Sequence, residues 1–184
     1  MDEPLTIGRG FTLLVGGARS GKSDLAVSLA SRYDGPVVFA ATAEPSDDEM
    51  AARIDRHRAD RPADWGVLES PLLRGGEIAD CDPSALVIID CITLLVNNLM
   101  HQERSDEQID DHAKIMAHAL VSRPSPTLVI TNEVGLGVVP DTELGRRYRD
   151  VLGRYNRRLA ERAETSVFVV AGRGLVLREV SPGW

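Results

Sequence analysis

Residues 16–23 read Gly16-Gly17-Ala18-Arg19-Ser20-Gly21-Lys22-Ser23: a glycine, four residues, then Gly-Lys-Ser. They follow an apolar run over 11–16 and precede a stretch with helical character over 24–32. A phosphate-binding loop needs that order. The glycine-rich turn lets backbone N–H groups close around phosphate oxygens at the positive end of a helix. The alternative is a glycine-rich turn that matches by chance; the position between a strand and a helix favours the phosphate loop, and with it an α/β fold. In such a loop Lys22 reaches the β- and γ-phosphates of a nucleoside triphosphate, and the Ser23 hydroxyl ligates Mg²⁺.

The rest of the chain keeps the same rhythm of short apolar runs and amphipathic stretches, with no repeat or linker, so residues 1–184 are expected to form one catalytic domain. Strands are expected over 11–16, 37–42, 85–90, 127–131 and 166–171. Their Val, Ile and Leu content on both faces suits a mostly parallel sheet flanked by helices. Gly172-Arg173-Gly174 separates the last of these from Leu175-Val176-Leu177, which predicts a C-terminal hairpin at the sheet edge. Ser105 and Gln108 form a capping box for a helix to about Val121, and Asp141 is the expected cap of another to about Ala163. In the latter, Leu144, Tyr148, Val151, Leu152, Tyr155 and Leu159 recur at three- and four-residue steps and define an apolar stripe. Its arginines, Arg146, Arg147, Arg149, Arg154, Arg157, Arg158 and Arg162, read as a solvated face paired with neighbouring acids, or alternatively as a phosphate or subunit contact. Residues 71–84 have weak periodicity and several breakers, and no element is assigned to them.

Composition narrows the partners. The chain has 21 Lys and Arg against 28 Asp and Glu, a formal charge of −7. This disfavours a general nucleic-acid binder, whose affinity comes from cations neutralising phosphates. No apolar run approaches the roughly 20 residues of a bilayer span, and the Met1-Asp2-Glu3-Pro4 start is acidic where a signal peptide is basic. The expected compartment is the cytoplasm. Two cysteines, Cys81 and Cys91, make no disulfide or zinc framework.

Three further positions carry candidate chemistry. Asp90 ends the apolar run at 85–90, where an acid can hold or orient Mg²⁺; the alternative is a carboxylate capping the next element. His57 lies within SDDEMAARIDRHRADRP over 46–62, where Ser46 and Glu49 are spaced as a capping box and Pro62 sets the end of a helix. Glu49, Arg53, His57 and Arg61 are successive fourth residues, and the apolar face is thin. His57 is therefore either a histidine on a solvated helix or a nucleophile toward an α-phosphate. The neighbouring Arg53, Arg56, Arg58 and Arg61 suit the second role, because they oppose protonation of the imidazole and attract the triphosphate. Glu133, at the end of the strand near 131, either holds substrate or fixes the Gly135-Leu136-Gly137 loop. His101, His112 and His118 have no comparable setting.

The strings GGARSGKS, DDEMAARI with the RHR and DRP that follow, DCIT with LLVNNL, and TNEVGLGVVP occur in that order from about residue 13 to 176. Together they resemble the bifunctional adenosylcobinamide kinase/adenosylcobinamide-phosphate guanylyltransferases of cobalamin biosynthesis. The resemblance implies a P-loop NTPase with a RecA-like sheet, assembled as a homotrimer. It implies phosphorylation of adenosylcobinamide from ATP or GTP, then transfer of GMP from GTP to the phosphate through a guanylyl-histidine, giving adenosylcobinamide-GDP and pyrophosphate. His57 matches the histidine that carries GMP, with Arg56 where some relatives have a second histidine. Nucleotide contacts carried over are Gly16, Gly17, Ala18, Arg19, Ser20, Gly21, Lys22, Ser23, Ala41, Thr42, Ala43, Arg58, Ala59, Asp60, Arg61, Glu69 and Asp90, with Mg²⁺ at Ser23 and Asp90.

Two other readings use the same loop. A P-loop kinase for another small alcohol keeps Lys22, Ser23 and Asp90 but leaves His57 without a task. A RecA-like motor or nucleotide switch predicts stimulation by a polymer or protein partner, against which the acidic balance argues.

Overall fold

A computed structural model describes residues 7–44 and 62–178. Within them the chain runs β1 (Phe11–Gly16), α1 (Lys22–Ala30), β2 (Val37–Ala41), β3 (Gly66–Glu69), α2 (Gly75–Ala79), β4 (Leu86–Asp90), α3 (Ile92–His101), α4 (Asp106–Ser122), β5 (Thr127–Asn132), α5 (Glu143–Ala160), β6 (Thr165–Val170) and β7 (Arg173–Leu177). The seven strands form one sheet in the order β3-β2-β4-β5-β1-β6-β7. Every pairing is parallel except β6 with β7, the expected C-terminal hairpin.

Alternation along the central strands divides the core in two. Leu13, Val87, Ile89 and Val129 face one layer, where they pack with Ile92, Leu95 and Val96 of α3, Met116 and Leu120 of α4, and Leu152, Tyr155 and Leu159 of α5. Leu14, Ile88, Leu128, Ile130, Val167 and Val169 face the other, against Ala26, Leu29 and Ala30 of α1. Strands that are apolar on both faces are thus buried on both faces, as a parallel sheet requires.

The helix ends follow local chemistry. Ser105 caps α4 as expected, with Ser105 Oγ accepting from Gln108 N and Gln108 Oε1 accepting from Ser105 N. The cap of α5 is Thr142, not Asp141: Thr142 Oγ1 accepts from Gly145 N at 3.1 Å. The apolar stripe of α5 begins one turn later than its spacing predicts, because Leu144 lies in the first turn, beyond the layer, and is exposed. The arginines of α5 form the paired face: Arg147 and Arg154 both reach Asp106, and Arg158 reaches Asp110, across to α4.

Two described elements lie in stretches that carry no clear period. β3 is a four-residue edge strand, mostly exposed, whose backbone pairing with β2 defines it more than its side chains do. Within 71–84, α2 is a single short turn, its entry held by Arg74 N donating to Glu77 Oε2 at 2.9 Å.

Candidate nucleotide site

β1, β5 and β4 lie side by side and end together. Gly16 is in register with Asn132, and Asp90 with Ile130 two residues earlier on β5. The loop after β1 therefore opens at the carboxyl edge of the sheet, where open α/β sheets bind ligands. A cleft of about 640 Å³ lies there. It is lined by Ala18 to Asp24, by Asp90 and Cys91 after β4, by Ile130 and Asn132 of β5, and by Ala171 and Gly172 at the β6–β7 turn.

The loop's geometry follows from its glycines. A Cβ on Gly16 would come within 2.1 Å of the Val169 carbonyl oxygen, so only glycine lets β1 turn this close to β6. Gly21 has φ 96°, a left-handed conformation at the N-cap of α1, and no side chain caps that helix. Its first N–H groups are left for an anion, with the helix dipole in the same direction. Lys22 is buried, and its Nζ donates to Gly16 O (3.1 Å), Gly17 O (2.6 Å) and Ser20 Oγ (3.3 Å). The ammonium is thereby fixed within the loop rather than extended into solvent.

Ser23 and Asp90 meet as the sequence predicts: Ser23 Oγ donates to Asp90 Oδ2 at 2.9 Å. The two oxygens suit a hard divalent cation such as Mg²⁺. Among the described residues there is no group of three or more His, Cys, Asp or Glu side chains that could hold a metal. Mg²⁺ takes one or two protein oxygens in such sites and completes its shell with phosphate and water. Next to Asp90, burial first and then the carboxylate push the Cys91 thiol up to about 12. It remains a neutral wall of the cleft.

The other expected contacts stand elsewhere. Ala41, Thr42 and Ala43 are at the carboxyl edge but do not line the cleft. Thr42 is fully buried. Its Oγ1 donates to Cys91 O at 2.7 Å and accepts from Cys91 N at 2.8 Å. The Thr42 side chain is thus a tie to the Asp90–Cys91 turn. Asn98 holds the same corner, with Nδ2 donating to Thr42 O and to Pro71 O, each at 2.9 Å. Glu69 is exposed at the end of β3, in register with Ala41, two strand spacings (about 10 Å) from Asp90. His57, Arg58, Ala59, Asp60 and Arg61, and the whole 46–61 part of the expected helix, lie outside the described residues.

Of the two readings of Glu133, the loop role holds: Glu133 Oε1 accepts from Gly135 N at 2.6 Å. The neighbouring Asn132 lines the cleft instead. Sequence reasoning also misses Ala171 and Gly172. Gly172 N donates to Ser20 O at 2.9 Å, and Gly172 Cα lies 3.2 Å from where a Gly21 Cβ would stand. The glycine after β6 is legible as a turn, but nothing local in the sequence says that this turn packs on the phosphate loop.

Known proteins share this architecture and this sequence. The flagellar accessory protein FlaH from Methanocaldococcus jannaschii superposes with a TM-score of 0.51 at 13% identity, over 94% of this chain and 80% of that one, a likeness of fold. The bifunctional adenosylcobalamin biosynthesis protein CobP of Pseudomonas aeruginosa is 40% identical over 167 residues, 90% of this chain and 96% of that protein. The bifunctional adenosylcobalamin biosynthesis protein CobU of Salmonella typhimurium is 40% identical over 180 residues, 90% of this chain and 98% of that protein. The family model for cobinamide kinase / cobinamide phosphate guanyltransferase matches residues 12–177, from the second residue of β1 to the last of β7, and the chain belongs to that family.

Proposed function

We propose that this member of the cobinamide kinase / cobinamide phosphate guanyltransferase family performs both reactions with adenosylcobinamide, and performs the second through a covalent guanylyl-His57 intermediate. The observation that carries the kinase reading is the meeting of Lys22, Ser23 and Asp90 in one cleft at the N-terminus of α1. Backbone N–H groups and Lys22 bind the β- and γ-phosphates of ATP or GTP; the acceptor hydroxyl attacks the γ-phosphorus and gives up its proton to solvent, the bond from that phosphorus to the β,γ-bridging oxygen breaks, and ADP or GDP leaves. Ser23 and Asp90 would hold Mg²⁺, which when bound neutralises charge on the triphosphate. For guanylyl transfer, a neutral His57 nitrogen attacks the α-phosphorus of GTP, forming a P–N bond as pyrophosphate leaves. An oxygen of adenosylcobinamide phosphate then attacks the same phosphorus, the P–N bond breaks, and the imidazole is regenerated. Arg53, Arg56, Arg58 and Arg61 supply positive charge for both displacements. Ala41, Thr42, Ala43, Arg58 to Arg61 and Glu69 are further nucleotide contacts in this reading, with Glu69 about 10 Å along the sheet edge from Asp90. A cytoplasmic homotrimer is the assembly and location that go with it; no helix among the described residues is long and apolar enough to cross a membrane.

The test is intact-protein mass spectrometry of wild type and His57→Ala after mixing with GTP and Mg²⁺, quenched at alkaline pH where a phosphoramidate survives. A gain of one GMP in wild type alone is expected. A gain in both proteins would move the nucleophile elsewhere. No gain in either, together with no adenosylcobinamide-GDP formed when adenosylcobinamide phosphate is added, would leave a kinase without guanylyl transfer.

A further inference from the structure

β5 runs two residues past the end of β4, so the main chain of its last residue is held by side chains where a strand partner is missing. Thr93 Oγ1 of α3 accepts from Asn132 N at 2.7 Å, and Asn156 Nδ2 of α5 donates to Asn132 O at 3.0 Å. Both clamps are themselves secured. Thr93 O accepts from Tyr148 Oη at 3.1 Å, and Asn156 Oδ1 accepts from the buried Thr131 Oγ1 at 2.7 Å. Three buried polar side chains, Thr93, Thr131 and Asn156, are thus spent on fixing one strand end. The side-chain amide of Asn132 itself has no hydrogen-bond partner among the described residues, and Asn132 lines the cleft.

Strand alternation settles which way that amide points. Thr131 faces α5, and Ile130 faces the α1 layer, so Asn132 shares the side of Ile130, toward the phosphate loop. β5 lies between β1 and β4, which places Asn132 about 5 Å, one strand spacing, from each of the strands that carry Gly16 and Asp90. The phosphate loop and the Ser23–Asp90 pair thus flank it on its two sides.

We propose that the Asn132 side chain contacts the transferring phosphoryl group, donating from Nδ2 to a terminal phosphate oxygen, as a third anchor between Lys22 and the Ser23–Asp90 pair. Its donor is neutral and its main chain is immobilised from both sides, so it is aimed before the nucleotide arrives and needs no reorganisation when charge develops. This rests on reading the cleft as a triphosphate site, but not on which alcohol accepts the phosphate or on the histidine chemistry.

The experiment compares the affinity of a β,γ-non-hydrolysable ATP analogue, which is not a guanylyl donor, with that of ADP, each with Mg²⁺, for wild type, Asn132→Ala and Asn132→Leu. Wild type should favour the triphosphate. Asn132→Ala should lose about tenfold of that preference, the scale of a hydrogen bond to a charged group, with ADP affinity within about threefold of wild type. Asn132→Leu, close to asparagine in shape and uncharged, removes the donor without repelling phosphate, so it should lose about as much as Asn132→Ala. A merely structural role predicts that leucine, which fills the same space, keeps the wild-type preference. Either variant keeping the preference within about twofold overturns the proposal. The leucine variant decides the point even where alanine weakens the fold. Failure of the underlying reading looks different, because wild type itself would then show no triphosphate preference.

Discussion

Ser23 and Asp90 are 67 residues apart in sequence and joined by a 2.9 Å hydrogen bond, Ser23 Oγ to Asp90 Oδ2. The strand that leads into the phosphate loop and the strand that ends in Asp90 are two spacings apart, because β5 lies between them. The first turn of α1 makes the crossing and sets the two oxygens side by side in the cleft.

Asp90→Asn should therefore lower phosphoryl transfer by about two orders of magnitude, the scale of losing one preorganised charge in a transition state. Ser23→Ala should act in the same direction. Steady-state kinase assays at saturating nucleotide would show this as a loss in kcat, and chelation by EDTA should abolish activity that added Mg²⁺ restores. Activity of Asp90→Asn within a factor of about three of wild type would remove Asp90 from the machinery.

Gly16→Ala tests the close approach of β1 to β6. A Cβ there would meet the Val169 carbonyl oxygen at 2.1 Å, whereas one on Gly17 meets open space. The strands must separate or the loop must shift, at an overpacking cost of about 1–3 kcal/mol. For a domain of this size each kcal/mol lowers Tm by about 2–4 °C. Thermal unfolding should show the drop for Gly16→Ala and almost none for Gly17→Ala.

The seam between α4 and α5 should weaken in acid. Hydrogen bonds from Arg158, and next from Lys114, hold the Asp110 carboxyl down at about 2. Because this lies below the unfolded value near 3.9, the contribution is complete above about pH 4 and is lost as pH falls through 2. The stability difference between wild type and Asp110→Asn should shrink steadily from pH 5 to pH 2. It should be modest throughout, since Arg158 and Lys114 are half exposed and solvent screens them. Denaturant midpoints measured across that range give the comparison.

Cys91 should resist alkylation in the folded protein. Burial and the adjacent Asp90 raise its thiol to about 12, so at pH 8 almost none is thiolate, and Cys81 is also raised, chiefly by burial. Thiol titration should report slow labelling at pH 8 and two rapid equivalents after denaturation. Fast labelling of Cys91 without unfolding would mean that the cleft wall opens readily.

Much of this molecule is written in local pattern. The apolar runs at 11–16, 85–90 and 127–131 are strands because β-branched and aliphatic residues on both faces leave them stable only inside a covered sheet. The Ser105 and Gln108 box starts α4 where the spacing says, since both partners lie within one turn. β3 escapes notice because an exposed edge strand is specified by its neighbour's backbone, not by a buried pattern of its own. α3 reads only as part of a motif, its ten residues being apolar enough to match a buried strand or a helix.

By itself the sequence determined the phosphate loop, the acid that ends β4, the α/β class and the family, because each rests on residue order within a few positions, on the apolar rhythm or on a string of motifs. Only the tertiary structure decided which polar groups near the cleft are available to a ligand. Thr42 and Glu133 carry suitable side chains but spend them on Cys91 and Gly135, while Asn132, one residue from Glu133, is clamped by Thr93 and Asn156 and faces the cleft. The physical reason is that a hydroxyl, carboxylate or amide is committed by whatever stands within about 3 Å of it in space. Those partners lie 24 to 49 residues away for Asn132 and Thr42, a distance no local pattern encodes.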